Sequence, residues 1–380
     1  MTQTIKTMVF STILLVTINL TAQKEENLTE NEQITQTINY YIEGTAYNYP
    51  EKLKMAFMPN ANMFLDHNEK PLFVMTIEEY AEHVAKHSNT GDFNGRTTNI
   101  LSIDRFGEIA TAKLEVIVPS MEMRFIDFLL LKKLEDGWKI ISKSAESEPT
   151  TEKGNKALLV LSNVAYQGNS NLAAGNSFLE VVIAYDEYQK ANYHVDIISP
   201  LGDEVPLAYI NPSDSLQLAY LYNPEFMYAL KNTKRPNEIN PNEYNIIQFT
   251  GGSAPIFDIP KNKEIQKIAM HIYEKNKGVI AAVCHGTAGI VNLKTSDGKY
   301  LVSNKNINGV PDSHETKKLP HYEHYPFIIE DVLKKRGGNF KHSKIRTPHM
   351  EVDGRLVTGQ NSLSSKMVTI KSIEVNKKSN

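Results

Sequence analysis

The chain has 380 residues, 41% hydrophobic and 22% charged, with a net charge of −3 at pH 7. That length accommodates two ordinary domains, each with a real core. No run of lysine and arginine is long enough to track a phosphate backbone, which excludes nucleic acid as an expected partner.

At the N-terminus, Lys6 gives a weakly basic start, Met8 to Ile18 is apolar, and Leu20-Thr21-Ala22 offers a cleavage site before Gln23. The apolar core falls short of the ~20 residues of a membrane span. Residues 1–22 are therefore read as a signal peptide, although Leu20 fits the small-residue rule poorly. The protein is expected to be exported, periplasmic or secreted, with an uncleaved membrane anchor as the alternative. Cys284 is the only cysteine, so no internal disulfide can form. A lone thiol in an oxidising compartment is expected to be either buried or used.

Residues 27–148 read as an α+β domain. Glu32 to Tyr47 places Ile34, Ile38, Tyr41 and Ile42 on one helical stripe. Ile77 to His87 reads as a second helix, with Thr76 as N-cap and Glu79 closing a capping box. Strand-like runs follow at Arg96 to Ile103, Ile109 to Val118 and Arg124 to Lys132. A Glu135-Asp136-Gly137 turn then leads into a last strand, Trp138 to Ser142. Helices first and antiparallel strands afterwards predict a curved sheet backed by helices, a cone.

This order, with its closing Asp136-Gly137-Trp138-Lys139-Ile140-Ile141-Ser142 strand, resembles the nuclear-transport-factor-2-like superfamily, whose fold is cystatin-like. The SnoaL-like and putative lumazine-binding members are the nearest in pattern. The resemblance implies a small apolar ligand in the cone, or a domain that mediates dimers. Asp66, His67, His83 and Arg124 are candidates to line the cone, and ordinary surface or rim positions are the plainer reading of them.

Ala145 to Asn155 is polar, contains Pro149 and Gly154, and lacks periodicity, so a linker is placed at 149–155. From 156 to 376 strands and helices alternate. Lys156 to Leu161, His194 to Ile198, Tyr244 to Phe249 and Gly278 to Val283 read as strands, and Phe178 to Ala191 and Asn262 to Lys275 as helices. Such alternation predicts a doubly wound, mainly parallel α/β sheet. Asn211 to Asn242, rich in Tyr, Pro and Asn, looks like a lid or dimer insertion. Tyr220, Tyr222 and Tyr228 there are candidates to wall a pocket, with aromatic packing as the plainer role.

The chemistry concentrates where Gly278 to Val283 runs into Cys284-His285-Gly286-Thr287-Ala288-Gly289, with a helix expected from Ile290. Small residues around a nucleophile at a strand-to-helix turn are what a strained elbow requires. The turn would lift the sulfur to a helix N-terminus, where the dipole favours thiolate.

This elbow resembles that of the PfpI/ThiJ superfamily, which includes glyoxalase III and holding-chaperone branches on a flavodoxin-like, class I glutamine-amidotransferase-like fold. Gly175 to Glu180, Val195 to Gly202, Tyr325 to Glu330 and Asp353 to Asn361 resemble further segments of the glyoxalase III-like branch. The resemblance implies Cys284 as nucleophile, a protonated Glu180 facing the sulfur, and His285 as base. An acid from the segment Gly309 to Glu315 would complete the triad, Asp312 preferred and Glu315 in reserve. Gly251, Gly252, Ser253 and Gly286 would form the oxyanion or substrate cradle. One departure stands out: Ser253-Ala254 occupies the place of a His-Gly pair in that branch.

The implied function is a cysteine-dependent, glutathione-independent glyoxalase or deglycase acting on 2-oxoaldehydes such as methylglyoxal. A thiol amidase or peptidase, and an exported stress chaperone or redox sensor without turnover, are the alternatives. No cofactor and no metal site is expected, since His321 and His324 lie in an irregular segment. The expected partners are a small aldehyde or amide substrate and a second copy of the chain, as a homodimer.

Overall fold

The computed structural model of this chain describes residues 28–67, 70–86, 91–150 and 155–379. The expected signal peptide lies outside the described residues, as does most of the expected linker.

The N-terminal domain opens with α1 (Glu30–Ala46), capped by Thr29 in a capping box with Glu32. Its stripe buries Ile34, Ile38 and Tyr41 against the sheet. After α2 (Pro50–Ala56) come β1 (Phe57–His67) and β2 (Lys70–Thr76), then α3 (Ile77–Ala85) with the expected Thr76–Glu79 capping box. β3 (Thr97–Phe106), β4 (Ile109–Val118), β5 (Met123–Leu134) and β6 (Gly137–Pro149) complete a six-stranded sheet in the order β2-β1-β6-β5-β4-β3.

This domain differs from the expectation in three ways. β1 and β2 were not legible, because Pro59 and a left-handed Asn60 (φ +62°) break the alternation, and the β1–β6 register shifts there. β1 also pairs with β6 in parallel, so the sheet is mixed rather than wholly antiparallel. Finally, the polar stretch from Ala145 to Pro149 is not linker. It continues β6 and pairs with Met123 to Asp127, its polarity reflecting faces that are not packed in the core.

The C-terminal sheet contains β7 (Lys156–Val160), β8 (His194–Ile198), β9 (Ile246–Phe249), β10 (Val279–Val283), β11 (Met350–Asp353) and β12 (Leu356–Gly359). Their order is β11-β12-β10-β9-β7-β8, parallel throughout except for the β11–β12 edge hairpin. Helices α4 (Phe178–Lys190) and α8 (Ser365–Ser379) pack against one another on one side of the sheet, and α7 (Lys263–Glu274) packs with the second core cluster on the other. β10 is central and buried at all five positions, as a strand covered on both faces must be.

The expected lid is instead a bridge between domains. Its helices α5 (Ser215–Leu221) and α6 (Pro224–Lys231) place Tyr220 edge-on to Tyr185 and Phe226. Tyr228 packs on the N-terminal core, and Glu225 pairs with Lys113 at 2.5 Å. Tyr222 is exposed. Nearby, Glu115 on β4 meets His194 on β8 at 3.6 Å and Arg124 at 2.7 Å. Arg124 also pairs with Glu148, so it braces strands rather than lining a cone cavity.

Candidate active site

The chain leaves β10 at Cys284 with φ +56°, a left-handed conformation that residues other than glycine rarely adopt. Holding it there costs about 1–3 kcal/mol, which the surrounding turn must offset. Thr287 Oγ1 donates to the Cys284 carbonyl at 2.7 Å. Gly286 lies so close to the preceding strand that a Cβ there would fall 2.4 Å from the Phe249 carbonyl oxygen. The elbow is therefore as strained as the small residues predicted.

Beyond the elbow the backbone departs from expectation. Cys284–Ile290 is a 3-10 helix, not the start of an α-helix, so the sulfur gains no long dipole. Burial, and then the charge of Glu180, push the thiol well above its ordinary value, while the His285 backbone N–H at the sulfur pulls it down.

Glu180 sits in the first turn of α4 and is 1% exposed. Its Oε2 accepts the Gly251 N–H at 2.9 Å, and it also hydrogen-bonds the Ser177 and Cys284 side chains. Burial outweighs these bonds and raises the carboxyl to about 7. Glu180 and Cys284 are adjoining acids, and a charge on either disfavours a charge on the other.

On the other side of the sulfur, Sγ lies 3.7 Å from His285 Nδ1, and His285 Nε2 lies 2.8 Å from Glu315 Oε1. With Nε2–H donating to Glu315, Nδ1 turns its lone pair toward the sulfur. The imidazole also packs edge-on against Tyr325, with ring centroids 5.5 Å apart.

The acid that meets His285 is thus Glu315, and the preference for Asp312 is corrected. Asp312 opens a 3-10 turn over Asp312–His314, accepts from Tyr322 Oη at 2.5 Å and pairs with Lys317. Both carboxylates border the small cavity beside His285. Tyr322 and Lys317 hold Asp312, whereas Glu315, beyond the turn, reaches the ring.

The expected cradle is also rearranged. Gly251 is required for close approach, since a Cβ there would lie 2.7 Å from both Cys284 Cβ and Glu180 Oε2. Its N–H is engaged by Glu180, however, so it is not a free oxyanion donor. Gly252 forms a bridge to Asn176. Ser253 Oγ accepts from Gly175 N at 3.3 Å and shares a hydrogen bond with Tyr209.

Tyr209 escaped the sequence reading. It hydrogen-bonds Ser253 beside the site, and its φ of +59° is a left-handed conformation rare outside glycine. It belongs to no motif, and only its position just before the insertion marked it. Among the described residues, no group of three or more His, Cys, Asp or Glu side chains is placed to hold a metal ion.

Over residues 172–370 the chain matches the DJ-1/PfpI family, and over residues 29–145 it matches a family described as putative lumazine-binding. It is 32% identical over 238 residues to the glutathione-independent glyoxalase HSP31 of Saccharomyces cerevisiae, covering 57% of this chain and 95% of that one. Against glyoxalase 3 of Candida albicans the identity is 31% over 200 residues, covering 49% and 83% respectively. Among solved structures, the glyoxalase III of Candida albicans superposes with a TM-score of 0.53 at 26% identity, covering 58% of this chain and 97% of that one. The Rapid Encystment Protein of Francisella tularensis gives 0.54 at 27% identity, covering 58% and 99%.

Proposed function

Because this chain belongs to the DJ-1/PfpI family, we propose that it is a glutathione-independent glyoxalase converting 2-oxoaldehydes such as methylglyoxal to 2-hydroxy acids. The observation that carries this reading is the placement of Cys284 between a proton-holding carboxyl, Glu180, and a relay through His285 to Glu315.

Cys284 sulfur adds to the aldehyde carbon, and its proton passes to the aldehyde oxygen, giving a hemithioacetal. His285 then removes the C1 proton while Glu180 protonates the neighbouring carbonyl oxygen, giving an enediol. Return of a proton to C2 and loss of one from the C1 oxygen leave a thioester of the 2-hydroxy acid. Water cleaves the thioester, releasing the acid and restoring the thiol. The conversion is internally redox-balanced, consuming one water and no external oxidant or reductant.

The engaged Gly251 N–H counts against the amidase alternative, which needs a free oxyanion donor at a tetrahedral intermediate. We read the signal-like residues 1–22 as directing this activity outside the cytoplasm, with an exported chain beginning at Gln23 as the expected mature form.

The test is incubation with methylglyoxal, without glutathione, while following lactate alongside Cys284→Ala and Glu180→Ala. Turnover that is lost in both variants supports the glyoxalase. An inactive wild-type protein, or a variant that keeps its rate, sinks it.

A further inference from the structure

Inside the N-terminal domain, the curve of the sheet and helices α1 and α3 enclose a cavity of about 180 Å³. Its walls are in part apolar, with Met63, Val116 and Phe125 contributing. The polar part of the wall consists of Tyr41, Tyr80, Arg96, Asp127, Lys143 and Ser147. His83 and Arg124, both candidates from the sequence, are not part of it, and the side chains of Asp66 and His67 lie outside the described residues.

The charges on this wall do not cancel. Asp127 is 1% exposed, and its two oxygens are both engaged, one by Lys143 Nζ at 2.8 Å and one by Tyr41 Oη at 2.7 Å. Lys143 therefore has its counterion, and Tyr41 uses its proton on the same carboxylate. Arg96 Nη1 donates to the Tyr80 hydroxyl, at 3.2 Å. Among the described residues, no carboxylate lies within ion-pair distance of Arg96. The wall thus carries two cations and one anion, arginine cannot lose its proton, and the surplus is one positive charge.

A purely apolar ligand would strip water from this guanidinium and return nothing, which a buried charge tolerates poorly. A carboxylate matches the planar donor fork of arginine and removes the surplus. We propose that the N-terminal cone binds a small organic monocarboxylate, its carboxylate paired with Arg96 and its apolar or aromatic body packed on Met63, Val116 and Phe125. This refines the apolar ligand implied by the resemblance, and it is independent of the reading of Cys284.

Calorimetric titration of the full chain with sodium benzoate, and with benzamide as a neutral probe of the same shape, tests it. Benzoate is expected to bind one molecule per chain, roughly ten- to a hundredfold more tightly than benzamide, the range of a charge-assisted hydrogen bond. Arg96→Gln should abolish that preference, and Arg96→Lys should restore part of it. Equal affinity for the two probes, no binding of either at millimolar concentration, or benzoate binding untouched in Arg96→Gln each overturn the proposal. The comparison of probes on the wild-type chain stands even where a variant fails to fold.

Discussion

The Gly251 N–H and Glu180 Oε2 lie 2.9 Å apart, so a backbone donor in the expected oxyanion cradle holds the carboxyl beside Cys284. The donor is used to position an acid. An N–H engaged in this way is not available to stabilise a tetrahedral oxyanion.

The proton on Glu180 has a thermodynamic signature. A carboxyl raised to about 7 in the folded chain binds its proton more tightly than the unfolded chain does. Native stability is therefore lost as pH rises from its ordinary value of 4.5 through 7, by at most about 3 kcal/mol. Glu180→Gln, which keeps an acceptor for Gly251 and a donor toward the sulfur, should be free of this loss. Urea unfolding at pH 4.5 and pH 8 should show the variant gaining on wild type as pH rises. Parallel curves would mean that Glu180 is not buried as a neutral acid.

Glu315 and Asp312 make opposite predictions. Glu315→Gln should lower kcat by roughly a hundredfold, the lower end of what a positioned acid–base relay contributes. Asp312→Asn should change kcat by less than about threefold, since it touches Tyr322 and Lys317 rather than His285. Lactate formation and the pH profile of Cys284 alkylation check both. Matching losses in the two variants would return the role to the loop as a whole.

Gly251→Ala is expected to inactivate the enzyme. The added methyl would overlap Cys284 Cβ and Glu180 Oε2, both at 2.7 Å, and one of the two must move. Overpacking of this kind costs about 1–3 kcal/mol. A fall in thermal midpoint together with loss of turnover is the expected pair of results, and an active, unshifted variant would show that the site has slack.

The domain interface carries its own pH dependence. Buried Glu115 is held down to about 2 against the raising effect of its burial, by His194 of the other domain first and Arg124 next. Its contribution, at most about 3 kcal/mol, is present above the unfolded value near 4.5 and disappears as pH falls toward 2. Glu115→Gln should flatten the acid limb of the stability curve over that window. An unchanged limb would show that the two domains are not joined through this ion pair.

Much of the framework was legible because it rests on local rules. The Thr76–Glu79 capping box, the buried stripe of α1 and the uninterrupted apolar run of β10 each depend on residues a few positions apart. β1 was hidden by Pro59 and Asn60, whose backbone shift erases the two-residue period. The cone's charged wall had a faint signal. Asp127 interrupts the apolar face shared by Phe125, Leu129 and Leu131, an expensive position for a carboxylate without a buried partner. Its partners, Lys143 and Tyr41, come from another strand and a helix, and no local pattern pairs them.

The sequence by itself determined the strained turn at Cys284 and the carboxyl in the first turn of α4. Steric demand and strand periodicity act between near neighbours and leave their mark in residue order. Only the tertiary structure decided that Glu315 rather than Asp312 meets His285, that Gly251 serves Glu180, and that the tyrosine-rich insertion joins the domains instead of covering the site. Those outcomes are set by how loops remote in sequence pack against the sheet and against one another.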